Sequence, residues 1–214
     1  MASNFWTSSH HKLLMDPEEV DVVHPLDRER GITVEDFKLI KLHMSNYISK
    51  LAQHIKIRQR VVATAITYMR RVYTRLLQDA GINDTSMTHL SCLCSKSLWT
   101  LLKWLSARTI SSRRVTLNTD HNHNHRHRLA LGLVNDTYRM DLILVHPPYL
   151  IALACVYIAS VYKEKDIRSW LEELCVDMNV VKNIAMEILD FYENHRTITE
   201  ERVHSAFSKL GKKP

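Results

Sequence analysis

Glycine and proline are scarce, with four and five among 214 residues. That scarcity argues against sandwiches and barrels, whose many tight turns need both. Cysteine is scarce too: Cys92, Cys94, Cys155 and Cys175 show no disulfide-framework spacing, and a lone C-x-C without a second pair is no structural zinc site. Cys155 and Cys175 sit inside apolar runs, where a free thiol acts as a small buried hydrophobe, so a reducing, intracellular setting is expected. No run approaches the roughly 18 apolar residues of a membrane span. The opening MASNFWTSSHHKLL lacks the charged region and apolar core of a secretory signal. Gly-rich phosphate loops, G-x-S-x-G turns and H-E-x-x-H are all missing, so no catalytic residue and no cofactor is expected. Leu, Ile, Val, Ala, Lys and Glu are plentiful instead, and an all-α protein follows.

The net charge of +6 comes from 29 bases and 23 acids, and it is local. Seven bases (Lys96, Lys103, Arg108, Arg113, Arg114, Arg126, Arg128) and one acid (Asp120) fall between Ser91 and Ala130, leaving 22 of each sign elsewhere. The remainder, neutral as a whole, reads as carrying no electrostatic footprint for phosphate. Within the basic stretch, Leu98, Leu101, Leu102 and Leu105 share a helical face flanked by Trp99 and Trp104. Such a helix suits an anionic membrane or nucleic acid, but packing or disorder is the plainer reading, and neither partner is expected. RTISSRRVTLNTDHNHNHRHR has little periodicity and reads as disordered. Its His121, His123, His125 and His127 are suitable metal donors by type, but without a rigid frame or second shell no metal site is expected.

Elsewhere helical periodicity dominates. Thr33 is placed to cap a helix with Phe37, Ile40, Met44, Tyr47, Leu51 and Ile55 on one face. A second helix from about Arg58 buries Val61, Val62, Ala65, Ile66, Met69, Val72 and Tyr73 and leaves Arg58, Arg60, Arg70 and Arg71 solvated, so the two pair as a hairpin. Order returns at Leu131, where LGLVNDTYRMDLILV carries one helical pattern up to His146. Pro147 and Pro148 then open a helix over Tyr149–Tyr162, apolar nearly all round and expected to be a buried central rod. Asp166 caps a short helix through Trp170 and Leu174. Asp177 caps another with Val181, Ile184, Ile188, Leu189 and Tyr192 inward, and Thr199 a last one with Val203, Ala206, Phe207 and Leu210. The architecture expected is a compact helical bundle about that rod.

The opening ANFWTSSH, the run KLAQHIKIRQRVVATAITYMRRVY, the segment VNDTYRMDLILVHPPYLIALACVYIAS and the ending NIAMEILDFYENHRTITEERV resemble the cyclin C family, in its plant form. The resemblance covers about four-fifths of the 214 residues. It implies two cyclin boxes of five helices each, a nuclear location, and partnership with the cyclin-dependent kinase of the Mediator kinase module and with other Mediator subunits. Against that pattern the chain is organised as an amino-terminal segment with a short helix (1–30), a two-helix remnant of a truncated first box (31–75), an irregular basic insertion and linker (76–130) and a near-complete second box (131–214).

The lysine and glutamate by which the family grips its kinase belong to the missing first-box helices, and no residue here inherits that role. The resemblance does carry partner-binding candidates. Asn4, Phe5, Trp6 and Ser8 would lie against the kinase, unless the two aromatics only staple this segment to the bundle. Trp6, Asn135, Asp136 and Tyr192 would line a surface groove, with Leu131 where the family has tryptophan; the plainer reading of Asn135 and Asp136 is a solvated helix face. Arg58 and Arg60 are candidates that equally suit an exposed charged face. The function implied is a non-enzymatic regulatory subunit that activates a kinase in transcription control, impaired in this variant. The competing reading is a fragment that docks on Mediator or another partner without activating anything.

Overall fold

The computed structural model describes residues 11–79, 124–164, 166–174 and 176–210. Among these every regular element is helical, as the turn-poor composition implies. After a 3-10 turn at His11–Leu13 come α1 (Pro17–Val20), α2 (Pro25–Glu29), α3 (Val34–His54), α4 (Gln59–Asp79), α5 (Asn124–Thr137), α6 (Leu142–Val145), α7 (Pro148–Tyr162), α8 (Arg168–Glu173), α9 (Met178–Arg196) and α10 (Glu200–Leu210). The chain divides into two compact units. The expected helix near Trp99 and Trp104, together with Cys92, Cys94, Cys175, His121 and His123, lies outside the described residues.

The first unit comprises residues 15–79 and 198–210 among those described. α3 starts where Thr33 closes a capping box: the Asp36 N–H donates to Thr33 Oγ1 at 3.2 Å and the Thr33 N–H to Asp36 Oδ2 at 3.0 Å. Such a cap contributes about 1 kcal/mol. The helix stops in a Schellman turn, with the Ile57 N–H on the Ala52 carbonyl at 2.9 Å and the Lys56 N–H on that of Gln53 at 3.2 Å. Lys56 therefore takes φ +52°, a left-handed conformation that costs a side-chain-bearing residue roughly 1–2 kcal/mol.

Phe37, Ile40, Met44 and Ile48 are buried as expected, but the buried arc is wider than one stripe and includes Leu39, Lys41 and Ser45. Tyr47 and Ile55, expected inward, are exposed at 47% and 48%. Lys41 has no exposure at all: its Nζ donates to the Val20 carbonyl at 3.3 Å, lies 3.6 Å from Asp21 Oδ1 and sits 4.6 Å from the centre of the Phe37 ring. Arg70, expected in solvent, is 2% exposed. The cause is periodicity, since Arg70 and the buried Thr74 continue the row Val62, Ile66 at four-residue spacing.

Helix α10 lays Ala206 and Leu210 against α3, with the Phe207 ring edge-on to His43 at 5.1 Å. Its Lys209 Nζ donates to Asp36 Oδ2 at 2.6 Å, and Arg202 lies 3.6 Å from Glu35. The apolar stripe of α10 is thus covered by α3, and its contacts go with residues 15–79 although in sequence it follows α9.

In the second unit α5 begins at Asn124, ahead of Leu131 and inside the tract expected to be structureless. Leu129 and Ala130 pack against the buried cluster, which anchors an extra turn that polar composition alone does not suggest. The single helix expected up to Val145 is broken, because turns from the Arg139 N–H to the Asp136 carbonyl and from Met140 to Thr137 end α5 before α6 starts.

Helix α7 has Pro148 in its first turn and packs on α5, α6 and α9 through Ile151, Ala154, Cys155 and Ala159. It is not sheathed all round: Tyr149, Ala152, Val161 and Tyr162 are exposed, Tyr162 at 72%. Apolar composition on every side permits burial on every side; only neighbouring helices supply it. Asp177 caps α9 by accepting the Asn179 N–H at 2.9 Å, and Val181, Ile184, Ala185 and Ile188 point inward. Leu189, expected with them, lies outside that stripe and is exposed at 44%. In α8, Leu171 is buried while Trp170, and Leu174 just past the helix end, face solvent.

Candidate functional site

In the second unit the last turn of α5 meets the carboxy-terminal half of α9. The Tyr192 hydroxyl donates to Asp136 Oδ2 at 2.7 Å, and Arg139 Nη1 lies 3.6 Å from Asp136 Oδ1, so both carboxylate oxygens are engaged. Asp136 is held there because the α5 stripe of Leu129 and Leu133 faces α7, which turns the end of the helix toward Tyr192. Burial, and then the hydrogen bond to Asp136, push the Tyr192 phenol well above its ordinary range. Cys155, a free buried thiol, is pushed up to about 12 by burial and then by the negative charge of Asp136.

Both groups therefore stay protonated near neutral pH, and Cys155 is no nucleophile. The cluster offers a fixed pattern of hydrogen-bonding groups rather than a proton to transfer. Among the described residues no group of three or more His, Cys, Asp or Glu is placed to hold a metal ion. None of their helices is long and apolar enough to cross a membrane.

Of the candidates from sequence, Asp136 and Tyr192 are brought into direct contact, and Asn135 is exposed beside them with Leu131 one turn back. Arg58 and Arg60 are exposed in the other unit, where α4 begins. Asn4, Phe5, Trp6 and Ser8 lie outside the described residues. Two members of the cluster were not found from sequence. Arg139 carries a usable signal, its i,i+3 spacing from Asp136. Cys155 carries none, because an apolar run hides which of its residues will face a charge.

No family profile matches the chain. Individual relatives match it over its whole length: it is 56% identical to Cyclin-C1-2 of Arabidopsis thaliana and 43% identical to Cyclin-C1-1 of Oryza sativa, in both cases over 100% of each chain. It is 29% identical to Cyclin-C of Rattus norvegicus over 99% of this chain and 91% of that protein. Together with the all-helical fold these relatives place the protein among the cyclins, regulatory subunits of cyclin-dependent kinases and not themselves enzymes. Within that class, the chain belongs to the cyclin C family.

Proposed function

We propose that this chain is the cyclin of a Mediator kinase module: it binds the cyclin-dependent serine/threonine kinase of that module in the nucleus and acts in transcription regulation, with reduced power to activate. The full-length identity to plant C-type cyclins carries the proposal. A cyclin works by occupying a face of its kinase, which stabilises the active placement of the catalytic Lys and Glu pair. In this reading Asn4, Phe5, Trp6 and Ser8 meet the kinase, and Trp6, Asn135, Asp136 and Tyr192 line a surface that receives another Mediator subunit. The Asp136 to Tyr192 hydrogen bond supports the second assignment by giving that surface a defined polar pattern.

A second reading, a docking fragment that activates nothing, is favoured by one observation. The alignment to Cyclin-C1-2 runs over 253 positions against the 214 residues of this chain, so at least 39 positions of that relative have no counterpart. If those positions include the grip on the kinase, binding and stimulation separate. A pull-down with the kinase followed by a substrate phosphorylation assay distinguishes the two readings. Capture with weak stimulation is the expected result, capture with none selects the docking fragment, and absence of capture rejects kinase partnership.

A further inference from the structure

The neutral sum outside residues 91–130 conceals a segregated charge. Between Asp36 and Asp79 the sequence holds nine Lys and Arg and no acid. Lys38 and Lys41 are taken up by Asp21, Arg70 is buried with a partner, Arg71 is half-buried with one, and the Arg75 side chain lies outside the described ones. Lys50, Lys56, Arg58 and Arg60 remain at the tip of the α3–α4 hairpin, all exposed and none in an ion pair with a described residue. The acids Glu35 and Asp36 sit at the opposite end of α3 and are paired with Arg202 and Lys209.

Three of these cations stand against the local needs of the fold. Lys56 occupies a left-handed position at φ +52° that glycine takes without strain. Arg58 is the residue whose carbonyl accepts the first helical N–H of α4, and its side chain has no acceptor with which to cap that helix. Arg60 lies in the first turn of α4, where the helix dipole disfavours positive charge and no acid compensates. Local choices that oppose stability and share one sign mark a functional surface. Ile55 is exposed in the same turn, and Tyr47 lies one turn before Lys50.

We propose that the α3–α4 hairpin tip is a docking surface for an acidic segment of a partner protein, one rich in Asp and Glu that also carries an apolar side chain. The four cations supply the attraction, and exposed Ile55 supplies the apolar contact. A nucleic-acid backbone fits less well, because among the described side chains of α4 beyond the tip Arg70 is buried and Arg71 is half-buried with a partner, so no exposed stripe of cations continues there for phosphates to follow. The surface is distinct from the Asp136 and Tyr192 cluster and does not depend on kinase activation.

The test uses the full chain and a fluorescent peptide of alternating Asp and Glu with one Leu and one Phe, read by anisotropy at about 0.15 M salt, where exposed charges still act over about 8 Å. The variant Lys56→Gly, Arg58→Asp, Arg60→Glu removes the strain, adds a cap and places acid in the first turn. It should melt at a higher temperature than the parent and bind at least about tenfold more weakly. The variant Lys96→Ala, Lys103→Glu, Arg108→Glu makes the same total charge change elsewhere and should lose less than about threefold. Equal loss in both variants, no binding by the parent, or tighter binding of a single-stranded oligonucleotide of equal charge would overturn the proposal.

Discussion

The two units differ in what each adds to its apolar packing. Residues 124–197 are organised around an apolar helix, α7, whose buried face meets Leu133, Leu142, Val181, Ile184 and Ile188. Residues 15–79 with 198–210 bury an apolar set of their own, Phe37, Ile40, Ile48, Ile66, Met69, Ala206 and Leu210 among them, and add polar ties over long sequence separations. Lys41 and Lys38 fasten α3 to residues 20 and 21, and Lys209 fastens α10 to Asp36 across 173 positions of sequence. Apolar packing is non-directional and proportional to area, so it tolerates small shifts; a polar tie demands its partner at one distance and one angle. The first unit therefore adds a dependence on individual polar residues to its apolar packing, whereas the second rests mainly on summed apolar area.

The strongest way to break that contrast is inside the apolar cluster. Ile184 is fully buried, and Ile184→Ala should cost about 2–5 kcal/mol, read as lost hydrogen-exchange protection across α5, α7 and α9. A cost below about 1 kcal/mol would mean the cluster is loosely packed and the contrast ill-founded. The first unit should respond to Lys41→Met, which keeps most of the buried volume but leaves the Val20 carbonyl without its donor. A cost of about 1–3 kcal/mol is expected in urea unfolding, from that buried acceptor. A neutral result would show Lys41 to be mere filling.

The weakest expected effect is the pH dependence of the α10 attachment. Burial alone raises the Asp36 carboxyl, but the hydrogen bonds from Lys209 and Thr33 outweigh it, and the net shift is downward from 3.8. Its folded value thus lies below its unfolded value, so the stabilisation is complete above that ordinary value and fades as pH falls through the lower folded one. Because Asp36 and Lys209 are partly exposed, the whole contribution should stay below about 1 kcal/mol. Thermal melts from pH 6 to about 2.5 should show that loss in the parent and a smaller one in Lys209→Met; parallel curves would remove the ion pair from the account.

Much of the helical layout was legible because caps and stripes are local. Thr33, Asp177 and Pro148 each act within one turn of their own position, and spacings such as Val203, Ala206, Phe207 and Leu210 record a single contact face. Misreadings arose where burial depends on what lies opposite. Arg70 is polar by type yet sits in a buried row; Tyr162 and Leu189 are apolar by type yet face water. The start of α5 was misplaced because its polar first turn is held by the packing of Leu129 and Ala130 in the turn that follows. Asp136 and Tyr192 were paired by family likeness and not by any property of the residues, which stand 56 positions apart.

By itself the sequence determined that this chain is all-α, where the helices capped by Thr33, Asp177 and Thr199 and opened by Pro148 begin, and that it is a cyclin of the C type, because turn content, caps and identity to relatives are properties of linear order. Tertiary structure alone decided that α10 closes onto α3, that Asp136 is gripped by Tyr192 and Arg139, and that four cations stand at a hairpin tip with no ion-pair partner among the described residues. Those outcomes depend on which surfaces meet in space, and a charge or a methyl group carries no record in sequence of what will stand across from it.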